Sequence, residues 1–98
     1  MSTMIYITID GMLNGTGIRD KYNGGFINPD DLNLPVSLKN EITDWLKKYA
    51  QEHYNGFTNH RSIEKLDLSG IEIAKKVRQH VHGKVTYFSH ATLKEHQI

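Results

Sequence analysis

The chain holds six histidines and no cysteine, so any metal or acid–base chemistry must rest on imidazole and carboxylate. His80-x-His82 closes a helical pattern, His53 and His60 flank a polar link, and His90 follows a strand-like run. Helical zinc sites use His pairs at i and i+4 with a third ligand from elsewhere. The i, i+2 pair departs from that spacing, and Asp10 or Glu72 is the carboxylate it would have to borrow. A plainer role for His80 is to complement the macrodipole at a helix C-terminus. General acid–base work would pair His60, His80, His82 or His90 with Asp20 or Asp30, and no spacing selects among them. Asp30-Asp31 follows Pro29 and reads as a turn or local cap. No Gly-x-Ser-x-Gly elbow is present. The sequence therefore names no catalytic residue, no metal ligand and no cofactor.

Two phosphate-binding patterns also fail. Gly15-Thr16-Gly17 would need a glycine at position 20, which is Asp20, and no helical period follows before Ser37. The Gly83-Lys84 pair precedes Val85 rather than the Ser or Thr of a P-loop. Lys75-Lys76-x-Arg78 is the densest basic run, but Glu72 stands beside it, and it reads as a solvated helix face.

The segment from Asn14 to Ile27 is different in kind. It mixes glycines with Arg19, Tyr22 and Phe26, side chains enriched where proteins bind proteins, and Asp20, Asp30 and Asp31 border it. These six residues are the candidate partner-binding set. A second role competes for the same stretch: the glycines serve turns, while Ile18, Tyr22, Phe26 and Ile27 pin the loop to the core.

The elements that would position these residues follow from periodicity. Met4 to Ile9 is β-branched and aromatic, ends at Asp10-Gly11, and reads as a central strand buried on both faces. Residues 10–35 form a glycine-, asparagine- and proline-rich stretch of about 26 residues, long for a compact domain, with room for a short third strand within 11–35, Gly25-Phe26-Ile27 being one choice. Ser37 to Tyr54 carries Leu38, Ile42, Trp45, Leu46 and Tyr49 on one helical stripe, with Ser37 as N-cap, Asn55-Gly56 as stop, and Lys47, Lys48, Gln51 and Glu52 on the wet side. A second helix should start between Ser62 and Ser69 and run to about Val81, with Gly70 weakening its first turn. Lys84 to Ser89 reads as a strand and His90 to Ile98 as a short helical or frayed tail. The order β-loop-α-α-β predicts a small α/β (α+β) two-layer sandwich, with residues 1–98 as a single domain.

Composition agrees with a soluble chain. Hydrophobic residues are 38% and charged residues 23%, too apolar for disorder. The longest apolar stretch, Met4 to Ile7, falls far short of the roughly 20 residues of a membrane helix, and nothing reads as a signal peptide. A cytoplasmic location fits. The net charge of +1 predicts no strong attraction to nucleic acid or membrane. Residues 1–46 nevertheless carry net −3 and residues 47–98 net +4, so the chain is dipolar in sequence.

The Asn14–Ile27 stretch, the Trp45-x-x-x-Tyr49 helix and His53-Tyr54 together resemble a group of small bacterial proteins over roughly residues 5–55. Overall size, acidic loop and lack of a catalytic motif are similar to immunity proteins of bacterial toxin systems, including contact-dependent growth inhibition. That resemblance implies a cytoplasmic, non-enzymatic protein that binds a cognate toxin domain, often a nuclease, and blocks it. No functional residue is transferred by it, because immunity proteins differ in fold. The competing expectation is a small hydrolase or nuclease dependent on His60, His80 or His82.

Overall fold

The computed structural model describes residues 5–11, 15–56, 58–90 and 92–98. Met4, expected to open the first strand, lies outside these, as do Asn14, Phe57 of the inter-helix link and Ala91 of the tail. The elements are β1 (Ile5–Asp10), β2 (Ile18–Asp20), α1 (Val36–Tyr54), α2 (His60–His80), β3 (Gly83–Ser89) and β4 (Lys94–Gln97). A 3-10 turn at Pro29–Leu32 precedes α1. The four strands form one sheet in the order β2-β1-β3-β4, with β1 parallel to β3 and both edge strands antiparallel to their neighbours. Parallel neighbours need a crossover connection, and α1 with α2 supplies it. The result is a small two-layer α+β fold.

The side-chain period of two decides which sheet face meets the helices. Ile7, Ile9, Val85 and Tyr87 join Leu38, Ile42, Trp45, Tyr49, Ile73, Ala74 and Val77 in the core. Trp45 is locked there by its Nε1, which donates to the carbonyl of Leu66 at 2.9 Å. Thr8 and Thr86 point the other way yet are also buried, their hydroxyls 2.8 Å apart and Thr86 donating to Glu95 at 2.6 Å. β1 is thus covered on both sides, as its continuous apolarity predicts.

Four local expectations change. α1 opens at Val36 with Pro35 at the cap, so Ser37 lies inside the helix and caps nothing; the proline's fixed φ does the initiating work. α2 opens at His60, before the predicted window, because the Asn59 side chain accepts from the Ser62 amide at 3.2 Å. Gly70 therefore sits inside α2 and not in its first turn. A Cβ there would overlap the Tyr87 ring, so the missing side chain is what lets helix and sheet close. Glu52, placed on the wet side, is buried at the end of the α1 stripe.

The tail is the fourth. Residues 94–97 pair with β3 instead of coiling, from Thr86↔Gln97 to Ser89↔Lys94. The turn that makes this possible holds Leu93 at φ 57, its amide donating to the Ser89 carbonyl at 2.8 Å. Every residue of β4 is exposed, so no alternation announces it. The third strand within 11–35 does exist, as the three residues of β2, and Gly25-Phe26-Ile27 contributes only an isolated bridge from Phe26 to Arg19.

Candidate functional site

Arg19 and Asp20 lie in β2, and Tyr22 and Phe26 follow it, while Asp30 and Asp31 sit in the 3-10 turn before α1; the chain after β2 is ordered by its own side chains. Ile18 is fully buried and anchors β2, while the Ile27 amide donates to the Ile18 carbonyl at 2.8 Å. Asp20 then builds the next turn. Its Oδ1 accepts from the Tyr22 and Asn23 amides at 2.9 and 3.1 Å, and its Oδ2 accepts from the Asn23 side-chain amide at 3.2 Å. Those donors, the Asn23 amide foremost, hold the Asp20 carboxyl below its ordinary range. Gly24 and Gly25 follow at φ +73° and +74°, a conformation that favours glycine.

This turn holds Tyr22 clear of the protein. Tyr22 is 68% exposed, and its ring meets that of Tyr6 edge-on at 5.7 Å between centroids. Phe26 is 38% exposed and lies over Gly15, so it serves partly as a pin for the loop. Asp30 is already engaged, its Oδ1 accepting from Lys39 Nζ at 2.7 Å. Asp31 is exposed and makes no side-chain bond among the described residues. Ile18 and Ile27 pin the loop, while Tyr22 and Asp31 are exposed.

Arg19 belongs to a second cluster, at the C-terminal ends of the parallel pair β1 and β3. Asp10 is 1% exposed there, with Arg19 Nη1 at 3.3 Å from one oxygen and His90 Nε2 at 2.7 Å from the other. A carboxylate paired with arginine accepts, so His90 Nε2 is the donor. His53 donates from Nε2 to the Gly11 carbonyl at 3.1 Å, and its ring lies 5.3 Å from that of His90. Beside these, Asp67 of α2 accepts from Tyr49, Tyr87 and Ser89 hydroxyls at 3.2, 2.6 and 2.6 Å. Burial, and then Asp67, push the Tyr49 phenol up to about 12, and burial with the Asp67 hydrogen bond pushes Tyr87 up as well.

Sequence reasoning had Asp10 and His90 among its candidates but did not join them, and it missed Asp67 altogether. Asp10 carried one usable signal, a charge ending a strand read as buried on both faces. Asp67 carried another: it lies four residues after Ile63 and three before Gly70, on the buried stripe of α2. The remaining histidines do not converge. His60 and His80 end the same 21-residue helix, about 30 Å apart. Asp10 is bound to His90 and Arg19, and Glu72 to Lys75 at 3.4 Å, so neither completes a His80–His82 site. Among the described residues no group of three or more His, Cys, Asp or Glu could hold a metal ion. The basic run is a paired helix face, with Lys76 on Glu41 at 2.8 Å and Lys75 on Glu72.

Compared with known proteins, the chain matches no family model and no curated protein. Among the described residues no helix is long and apolar enough to cross a membrane.

Proposed function

We propose that this chain is an immunity protein of the bacterial toxin type: a cytoplasmic, non-enzymatic inhibitor that occludes a cognate toxin domain, such as a nuclease, by stoichiometric binding. It acts without a cofactor and without direct contact to nucleic acid or membrane. The observation that carries this reading is the β2 edge, where Tyr22 stands exposed on a turn stiffened by Asp20. An exposed aromatic on a preorganised turn loses little entropy on docking. The Asp20 carboxylate beside it and the exposed Asp31 in the following 3-10 turn suit a basic partner, and nuclease clefts are basic because they hold phosphates. Within the set, Tyr22 and Phe26 supply contact area, Asp31 and Asp20 supply charge, and Asp30 and Arg19 contribute through their neighbours.

The test is capture of a partner by the tagged chain from its native cell at mild salt, followed by an activity assay of what is captured. A single stoichiometric toxin-like partner, silenced by the chain and released by Tyr22→Ala, is the expected result. Absence of any partner, or a partner insensitive to Tyr22→Ala, overturns the reading.

One observation favours a second reading. The Asp10–His90 pair has the geometry of a base and its orienting carboxylate. A hydrolase acting through His90 would cleave RNA or a simple phosphodiester and lose that activity on His90→Gln. Equal rates for the two proteins remove this alternative.

A further inference from the structure

The same tripeptide occurs twice in exposed parts of the chain, as Tyr22-Asn23-Gly24 and as Tyr54-Asn55-Gly56. Asparagine followed by glycine is prone to react with itself, because glycine has no Cβ to shield its amide nitrogen from the preceding side chain. That nitrogen loses its proton to hydroxide and attacks the asparagine Cγ. A C–N bond forms, the Cγ–Nδ2 bond breaks, and ammonia leaves after taking a proton from solvent. Water then opens the five-membered succinimide at either carbonyl, giving aspartate or isoaspartate, and nothing is oxidised or reduced. A third pair, Asn14-Gly15, begins outside the described residues. Since the two tripeptides match, local sequence separates them little, and the fold must decide which one reacts.

To bring the nitrogen to Cγ, the chain must rotate about the asparagine ψ and side-chain angles, which breaks the bonds made by both groups. Asn55 is the C-cap of α1, and its side chain makes no hydrogen bond among the described residues. Rotation there gives up the Gly56 amide bond to the His53 carbonyl, at 3.2 Å, and the Thr58 hydroxyl bond to the Asn55 carbonyl, at 3.3 Å. Both are long, and both lie at a helix end, where helices fray. Asn23 is held otherwise. Asp20 accepts from its backbone and side-chain amides at 3.1 and 3.2 Å. The Asp20 carbonyl accepts from the Gly24 amide at 3.0 Å, and the Asp20 amide donates to the Gly25 carbonyl at 3.0 Å. One residue thus restrains the attacking nitrogen and the group it would attack, and its carboxylate repels the amide anion that the attack requires.

We infer that Asn55 is a site of spontaneous deamidation, converting to aspartate and isoaspartate, and that Asp20 withholds Asn23 from the same reaction. At Asn55 the product sets a carboxylate at the C-terminal end of α1, where the last carbonyls already carry partial negative charge, and isoaspartate adds a backbone carbon to the link with α2. At Asn23 the product would set a second carboxylate against Asp20 and open the turn that carries Tyr22. The Asp20 clamp therefore preserves that surface as the protein ages. The assignment stands whether or not a toxin is the partner.

The experiment holds the full chain for several weeks at body temperature and mildly alkaline pH, with peptide mapping by mass spectrometry to follow the one-dalton gain and the isoaspartate at each site. Asn55 is expected to convert at least tenfold faster than Asn23. In concentrated urea the two rates should converge to within a few-fold, because the tripeptides are then alike. Asp20→Ala should raise the Asn23 rate at least tenfold and leave the Asn55 rate unchanged, so Asn55 reports any general unfolding caused by the substitution. Asp20→Asn keeps an accepting oxygen and loses the charge; it should raise the Asn23 rate less, and it keeps the test decisive if Asp20→Ala accelerates both sites. An Asn55 that stays intact, equal rates in the folded chain, or an Asn23 rate that neither substitution raises overturns the assignment.

Discussion

The two clusters of acidic residues use the same chemistry to opposite ends. At the ends of β1 and β3, Asp10 serves Arg19 and His90, while Asp67 serves three hydroxyls. From β2 to the 3-10 turn before α1, Asp20 serves only its own turn, Asp30 serves one lysine, and Asp31 faces water. A buried carboxylate must be fully bonded, and once bonded it ties together elements that are distant in sequence. An exposed one contributes little to the fold and keeps its charge available to a partner. The first cluster therefore sets stability, and the second is where the binding proposed for this surface can be tested without unfolding the protein.

The sharpest way to break that contrast is Asp67→Ala. It would take away the shared acceptor of the hydroxyls of Tyr49, Tyr87 and Ser89, all of them buried residues. The expected loss is about 3–5 kcal/mol, enough to unfold a domain of this size in part at room temperature. Urea unfolding followed by circular dichroism measures it, and a loss under 1 kcal/mol would mean that Asp67 is not the hub of that cluster.

The same cluster predicts an alkaline limit. Tyr49 is raised from 10.0 to about 12 by burial and by Asp67, so the folded chain keeps a proton that the unfolded chain releases. Its contribution is fully present below pH 10 and is lost as pH rises from there through 12, roughly 3 kcal/mol in all. Tyr87, raised in the same direction, extends the loss upward. Urea midpoints should be level from pH 8 to 9.5 and fall steeply above 10, and Tyr49→Phe should flatten part of that fall. A midpoint level to pH 12 contradicts the buried phenols.

Gly70→Ala comes next in size. Helix propensity alone predicts a gain of about 1 kcal/mol from this exchange. The Tyr87 ring occupies the space a Cβ needs, and forcing it aside costs about 1–3 kcal/mol. A net loss in the urea midpoint is expected. A net gain would show that the ring can yield.

These sites also mark where sequence reasoning stops. Helix stripes were legible because Leu38, Ile42, Trp45 and Tyr49 repeat at 3.6 residues and their burial follows from that period. β1 was legible from continuous apolarity. β4 was not, since Lys94 to Gln97 is polar throughout and becomes a strand only by pairing with β3. The α2 boundary was displaced by one side chain, Asn59, whose capping bond outweighs the weak apolar pattern behind it. At the polar clusters, residue types were visible but partners were not. Asp10 and His90 are 80 positions apart, and only the parallel β1–β3 register brings them together.

The smallest effect on the fold is expected where the effect on binding is largest. Tyr22 is largely exposed and its ring meets Tyr6 edge-on, so Tyr22→Ala should move the urea midpoint by no more than about 0.5 kcal/mol equivalent. Asp20→Asn keeps a side-chain oxygen able to accept from the Tyr22 and Asn23 amides, and Asp31→Asn removes a charge that holds nothing in place. A protein carrying all three changes should therefore remain folded and lose affinity for its partner at least tenfold. The charge changes alone should slow association and flatten its salt dependence, because exposed carboxylates act mainly by steering. Adding Asp30→Asn should change association little further, since Lys39 already neutralises that carboxylate. If Asp30→Asn proved the most damaging of the set, the 3-10 turn would be working through its ion pair to α1, and the division between a stabilising cluster and a binding one would fail there.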